Sequence, residues 1–388
     1  MNVQRKIKLK SNDNNRSKPT MSSVLEKHKS EPGFDLGKNM SIAKQKFGKS
    51  YFSQVKEMAK LAFGPLKLQP AEYFAYRLYE DKNYSLEQKR CFIGEQAQDQ
   101  IFRQTNDLGW WGIAHDKLTF DTMLKALNLP CAEIRAVYHP WRNHGTVPVI
   151  RHHEVLADYL RTDMAYPFFA KPVTGMHSLG TVKSFGVDPE NDEIFITSSP
   201  SVNVQSFADE IVAYGTNGYI FQECLTPHPV IKEICGPRLS TIRLVVALTD
   251  TGPEIMRSVW KVPTGNNIAD NFWRPGNILA ALDGDSGTVL RSVQGTGPQQ
   301  IGVDRHPDTE QLIKGITLPD WQNVKDLVIT SAYAIPALRL QAWDVALTNR
   351  GPVLLELNVG GDFVLPQVAT GRPSMDPRFV NFLESCRR

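Results

Sequence analysis

Two apolar runs near the C-terminal end, Trp343-DVALT and Pro352-VLLELN, flank Asn349-Arg350-Gly351. This spacing predicts a β-hairpin with a three-residue loop whose glycine takes the left-handed position. With Arg350 at the centre, Asp344 faces Glu356 across the strand pair. Asn358, two residues further on, shares the face of Glu356 because strand side chains alternate, and Val353, Leu355 and Leu357 supply the core side. Two opposed carboxylates repel unless something lies between them. A divalent cation taking oxygens from Asp344, Glu356 and the Asn358 amide is one remedy. An arginine partner such as Arg339 or Arg350 is the other.

A second polar constellation lies upstream. Lys171 sits on a strand-like run, Phe168-FAKPV, followed by a loop with Gly175, Ser178 and Gly180 and then another strand-like run. Glycines let backbone N–H groups close on phosphate oxygens, and a lysine adds a point charge. The loop joins strand to strand, so it differs from the phosphate loop that opens a helix, and an ordinary β-turn fits it equally well when taken alone. The one Gly48-Lys49-Ser50 triplet fails that motif too, because residue 43 is Ala where Gly is required.

In chain order, the motifs resemble the ATP-grasp superfamily and, within it, the sugar-transfer associated ATP-grasp family. The resemblance runs from about residue 110 to about residue 365. Its residues are Asp116-Lys117 opening a helix, Lys171-Pro172 before the glycine loop, Phe221-Gln222-Glu223-Cys224-Leu225 followed by His228-Pro229, and Ser240-Thr241-Ile242-Arg243. Asp270-Asn271-Phe272, His306-Pro307-Asp308-Thr309 and the Asp344 to Asn358 hairpin complete the set. The chain departs from the family pattern at Val359-Gly360-Gly361-Asp362, where a Pro-Gly ending is more usual, and in the Gly/Gln-rich stretch 287–302.

The resemblance implies two α+β subdomains gripping ATP. It places Lys117 and Lys171 on the nucleotide, Gly175, Ser178 and Gly180 in a lid over the phosphates, and Gln222, Glu223, Cys224 and Leu225 along the adenine. Arg243 would meet the transferred phosphate, with Lys261 and Asn271 as neighbours, and Asp344, Glu356 and Asn358 would hold Mg²⁺. Singly, Lys261, Asp270, Asn271, Arg274 and His306 read as surface or turn residues in loop-like context. The implied reaction is an ATP- and Mg²⁺-dependent ligation: a substrate carboxylate becomes an acyl phosphate and is captured by an amine. Small-molecule carboxylates and amines are the expected partners, with a saccharide-linked acceptor suggested by the family's name. The alternatives are an ATP-grasp kinase and a non-catalytic nucleotide-binding scaffold.

The elements that must position these residues are legible in outline. Phe52, Val55, Met58, Ala59 and Ala62 recur at helical spacing and predict one buried helix face, ending near Gly64-Pro65. Further helices are expected from Pro70, from Ser85 through residue 104, from Asp116 to Pro130, from Glu154 and from Leu318. Short strand-like runs with Gly/Pro turns dominate after residue 145, so the expected class is α+β. The expected divisions are a disordered basic tail (1–50), a helical region (51–110) and two ATP-grasp subdomains (111–225 and 226–388), and removal of residues 1–45 is expected to leave turnover unchanged.

Composition bounds the rest. Residues 1–60 hold 14 Lys/Arg against 5 Asp/Glu, so the +3 net charge hides a basic end and a mildly acidic body. A basic end of this kind could touch an anionic membrane surface or nucleic acid, but an Asn/Ser/Lys-rich terminus reads as a solvated, mobile end, so no nucleic-acid partner is expected. The five scattered cysteines form no metal-binding pattern and suit a reducing compartment. The N-terminal residues lack an apolar signal core and no apolar run is long enough to span a bilayer, so a cytoplasmic protein is expected.

Overall fold

The computed structural model describes residue 25 and residues 34–145, 147–175, 179–197, 199–267, 269–359 and 362–387. Among the described residues, seven α-helices precede the first strand: α1 (Leu36–Phe47), α2 (Tyr51–Ala62), α3 (Pro70–Ala75), α4 (Leu86–Lys89), α5 (Glu95–Thr105), α6 (Trp111–His115) and α7 (Lys117–Ala126). Helix α1 occupies part of the segment expected to be disordered. Asp35 caps it by accepting from the Lys38 N–H, Gly48 ends it in the left-handed conformation, and Ala43 is fully buried. The single helix expected from Ser85 is broken in two. Gly94 lies so close to the Leu66 and Lys67 carbonyls that a Cβ would stand 2.8 and 2.7 Å from them, which only glycine permits.

Helix α2 is rotated relative to the sequence expectation. Its buried residues are Gln54, Met58 and Leu61, while Phe52 and Val55 face outward, 78% and 53% exposed. Gln54 points inward, where its amide nitrogen donates to the Met40 and Lys49 carbonyls while its side-chain oxygen is buried without a hydrogen-bond partner.

The first sheet comprises β1 (Ile134–Tyr138), β2 (Val149–Ile150), β3 (Phe168–Pro172), β4 (Val182–Asp188), β5 (Glu193–Ile196), β6 (Ser199–Asn203) and β7 (Tyr219–Glu223), ordered β2-β1-β7-β3-β4-β5-β6. Helices α8 (His153–Thr162) and α9 (Val204–Tyr214) bury Leu156, Leu160, Phe207 and Ile211 against it. After α10 (Pro229–Cys235) comes the second sheet: β8 (Thr241–Thr249), β9 (Gly252–Val262), β10 (Ile278–Leu282), β11 (Val289–Gln294), β12 (Ile301–Gly302), β13 (Leu340–Thr348) and β14 (Gly351–Val359). Its order is β12-β11-β10-β9-β8-β13-β14. Lys261, expected in a loop, is on β9.

The second sheet is covered on both faces. One core takes α10, α11 (Trp321–Ala332) and, from α7, Phe120 and Leu124. On the other face, residues of α2, α3 and α12 (Val364–Thr370) pack with Val259, Leu279, Ala281 and Val293, and α5 and α13 (Pro377–Ser385) pack with Val245 and Ala247. The helices of residues 51–110 therefore form one wall of this sheet's packing. A Lys49–Glu57–Asp81–Lys89 charge network, with both lysines buried and Asp81 exposed, ties them together, with Lys49 Nζ 2.8 Å from Glu57 and Lys89 Nζ 2.6 Å from Asp81.

Candidate active site

Strands β13 and β14 pair antiparallel with Asp344 opposite Glu356, as the sequence spacing predicts. Two corrections combine to give that result. Thr348 pairs with Gly351, so the turn has two central residues, Asn349 and Arg350, not three. A bulge then leaves Leu355 unpaired between Val345↔Leu354 and Asp344↔Glu356 and restores the register. The bulge also changes the faces: Leu354 and Leu357 join the core, whereas Leu355 is only half-buried and lines the cleft.

Asp344 is buried and held by two cations. Arg243 on β8 donates to both its oxygens, Nε to Oδ1 at 2.8 Å and Nη2 to Oδ2 at 2.7 Å, and Lys261 Nζ donates to Oδ2 at 3.0 Å. Burial opposes ionisation of Asp344, but the Arg243 and Lys261 charges hold its carboxyl well below the usual carboxylate range. The arginine partner is thus neither Arg339 nor Arg350. Arg339 donates to the Leu248 carbonyl, and Arg350 pairs with Glu223. Arg243 also reaches Asp362 at 3.1 Å and lies 3.8 Å from Glu356. Burial opposes its charge as well, yet Asp344 more than compensates and raises its pKa.

Glu356 is 39% exposed, and the Asn358 amide lies 3.3 Å from it and 3.5 Å from Asp344. As placed, Asn358 Nδ2 faces both carboxylates; turning the carboxamide over presents its oxygen at the same spot. The donor chemistry suits a hard cation, which takes few protein oxygens when phosphates supply the others. Glu356 and Asn358 are its accessible part, and Asp344 is shared with Arg243 and Lys261. Among the described residues, no group of three or more His, Cys, Asp or Glu forms a metal cluster.

Across the cleft, Lys117 and Lys171 approach from the first sheet's side. Asp116 caps α7 by accepting from the Thr119 N–H, which leaves Lys117 at the helix start, where its Nζ donates to the Gly175 carbonyl at 2.9 Å. Lys171, on β3 opposite Ile220, is lowered from 10.5 to about 8 by burial and by the Lys117 charge, against the pull of Glu356, Asp121 and Asp344. Burial lowers Lys117 too. Between the sheets the cleft is lined by Lys117, Lys171, Gln222, Ile134, Ile220 and Leu355.

Gln222 and Glu223 end β7, and Cys224 and Leu225 follow as half-buried chain. The Glu223 carboxylate accepts from the Glu133 N–H and pairs with Arg350, so its side chain clamps this segment to the hairpin turn. Burial raises the Cys224 thiol. Gly175 adjoins Pro172; Ser178 lies outside the described residues. Gly180 has φ +71°, and a Cβ there would stand 2.3 Å from the Tyr214 ring. Asn271 lies beside Asp270, which pairs with Thr241 and is 3.9 Å from Lys261; its side-chain oxygen accepts from the Trp273 N–H.

Sequence reasoning missed Asp362 and a buried pair on the cleft wall, Asp121 and His144. His144 Nε2 lies 2.8 Å from Asp121 Oδ2, and Lys125 lies 3.0 Å from the same oxygen. Asp121 follows Lys117 by four residues on α7, one turn along the same face, which is the signal that could have found it.

A profile of the sugar-transfer associated ATP-grasp family matches residues 96–382. Among solved structures, the chain resembles D-alanyl-alanine synthetase A from Vibrio cholerae at 12% identity and a TM-score of 0.41, covering 71% of this chain and 64% of that one. D-alanine–D-alanine ligase from Bacillus anthracis aligns at 11% identity and a TM-score of 0.40, covering 75% of this chain and 74% of that one. N5-carboxyaminoimidazole ribonucleotide synthetase, as an ADP complex, aligns at 12% identity and a TM-score of 0.36, covering 64% of this chain but only 46% of its own length. No curated protein sequence matches. The α+β class and ATP-grasp fold expected from the sequence are those found. With the family profile spanning well over half of its 388 residues, the chain belongs to the sugar-transfer associated ATP-grasp family.

Proposed function

We propose that the protein is an ATP-dependent ligase that activates a substrate carboxylate as an acyl phosphate and joins it to an amine. The observation that carries this reading is the facing of Lys117 and Lys171, both lowered by burial and Lys171 further by the Lys117 charge, against the acidic Asp344–Glu356 edge across one cleft. A triphosphate relieves the lysine repulsion, and Mg²⁺ between the phosphates and Glu356–Asn358 would supply charge neutralisation there.

The chain's own residues account for the rest. Lys117 and Lys171 orient the phosphates, and Leu355, Ile134 and Ile220 offer apolar walls to the base, with Gln222 at its edge. Cys224 and Leu225 continue that wall along the chain. The Gly175–Gly180 segment, including Ser178, serves as the lid that keeps water from the acyl phosphate. Arg243, held by Asp344 and Asp362, and Lys261 stabilise charge on the transferred phosphoryl group, with Asn271 beside them. The family description suggests a saccharide-linked acceptor, and five unpaired cysteines fit a reducing, cytoplasmic setting.

Release of ADP and phosphate, measured over a panel of carboxylates crossed with amines, tests the reaction. ADP with a phosphorylated product and no free phosphate would identify a kinase instead. Glu356→Gln and Asn358→Ala should each lower turnover by roughly 10²–10³-fold while the protein stays folded. Near-normal turnover in either variant removes the site assignment.

A further inference from the structure

The outward face of α2 has no partner among the described residues. Phe52, Val55, Ala59 and Phe63 follow one another at helical spacing along it, and Phe63, just past the helix end, is 93% exposed. Tyr51 flanks the stripe with 44% of its surface exposed. Of the 19 large hydrophobic residues exposed among the described residues, six (Phe34, Leu36, Tyr51, Phe52, Val55 and Phe63) fall within residues 34–63. An apolar concentration of this kind marks an interaction surface, whereas single exposed residues do not.

The charges beside the stripe select the partner. Lys56 and Lys60 lie along one flank, and Lys44 sits over the Tyr51 ring at 4.6 Å on the other. Glu57, the one acidic residue of α2, is turned inward, where Lys49, Lys89 and the Tyr73 hydroxyl occupy it. The outward face is therefore apolar at its centre and cationic at its edges. Residues 1–33, which lead into this region, add 8 Lys/Arg against 3 Asp/Glu. The stripe is a single convex helix face, with its opposite side fixed in the protein by Gln54, Met58 and Leu61.

We propose that α2 is a docking face for an anionic lipid surface, with Phe52, Val55 and Phe63 entering the headgroup region and Lys44, Lys56 and Lys60 meeting lipid phosphates. A convex, single-helix stripe bordered by lysines suits a planar anionic interface, in which aromatic and aliphatic side chains insert while cations stay at the headgroups. The face lies apart from the cleft, so docking holds the enzyme at a membrane without occupying its site.

Co-sedimentation of the full chain with phosphatidylcholine vesicles, with and without roughly 30 mol% phosphatidylserine, tests this. Binding is expected only to the anionic vesicles and should weaken at high salt. Phe52→Glu/Phe63→Glu and Lys56→Glu/Lys60→Glu should each reduce it at least about tenfold, with melting temperature and nucleotide binding unchanged, because all four side chains are exposed. Equal binding by the Phe52→Glu/Phe63→Glu variant would assign any attraction to the basic segment alone and overturn the proposal. Absence of binding to anionic vesicles would overturn it too, as would a dimer that this variant dissolves, which would make the stripe a contact between copies.

Discussion

On the proposed reading of the cleft as a nucleotide site, Lys171 should change its charge when nucleotide arrives. In the free protein its ammonium, lowered to about 8 by burial and by Lys117, is protonated below that pH and neutral above it. A polyphosphate favours the charged form, so binding should raise the pKa and take up a proton. At pH 8 about half a proton should enter per nucleotide bound, and affinity should fall as pH rises beyond 8. Titration calorimetry in buffers of different ionisation enthalpy measures this directly. Lys171→Met should abolish the uptake near pH 8 and weaken binding by roughly tenfold to a hundredfold. Asp344 and Glu356 should separate by a different measurement. Asp344→Asn leaves Arg243 and Lys261 buried with one fewer counter-charge and should cost about 3 kcal/mol of stability, whereas Glu356→Gln, at a half-exposed position, should cost under about 1 kcal/mol while still removing turnover. Urea denaturation of the two variants decides between these roles. The pairing of Asp344 with Glu356 was legible from spacing, but the cations on Asp344 were not, because Arg243 and Lys261 come from strands about a hundred residues away in the chain.

Strand β14 shows how an element can deliver the right residue for the wrong reason. A shorter turn moves its register by one residue and the Leu355 bulge moves it back. Alternation in the sequence cannot reveal the bulge, since Leu354 and Leu355 are equally apolar and either could face the core. The same ambiguity affects α2, where periodicity identifies an apolar stripe but not its direction, and a polar residue, Gln54, occupies the buried side. Strand β10, Ile-Leu-Ala-Ala-Leu, is buried on both faces and has no alternation to read. Deleting Leu355 tests whether the bulge carries the site. With Leu354 already opposite Val345, its removal leaves a regular ladder in which Glu356 still faces Asp344 and, by alternation, still lies on the cleft side, so the deletion should cost no more than about 1–2 kcal/mol and turnover should persist. Loss of turnover in a variant that stays folded would show that the site depends on the local bend and twist that the bulge imposes, and not on register alone.

Across the whole molecule, the cleft is built from parts that the chain order keeps apart. Helix α7 precedes the first sheet, yet Phe120 and Leu124 on it pack in the second sheet's core while Lys117 and Asp121 on it line the cleft. The N-terminal helices are similarly committed: their core includes Val259, two residues before Lys261 on β9, so the support beneath one charged residue of the site begins near residue 36. The expectation that removing residues 1–45 leaves turnover unchanged must be weighed against the packing of Met40 and Ala43, which that cut would take away. A cut after residue 24 removes a mainly basic and polar segment and should leave both melting temperature and ATP turnover unchanged. A cut after residue 47 strips α1 from a packed core and uncovers the partners of Ala43, and should cost about 2–4 kcal/mol, by analogy with large-to-small core substitutions. It should lower turnover only to the extent that β9 loosens. Thermal melts and ADP release on the two truncations resolve the question. If the second truncation melts at the parent's temperature, α1 is an appendage and the support for Lys261 begins at α2.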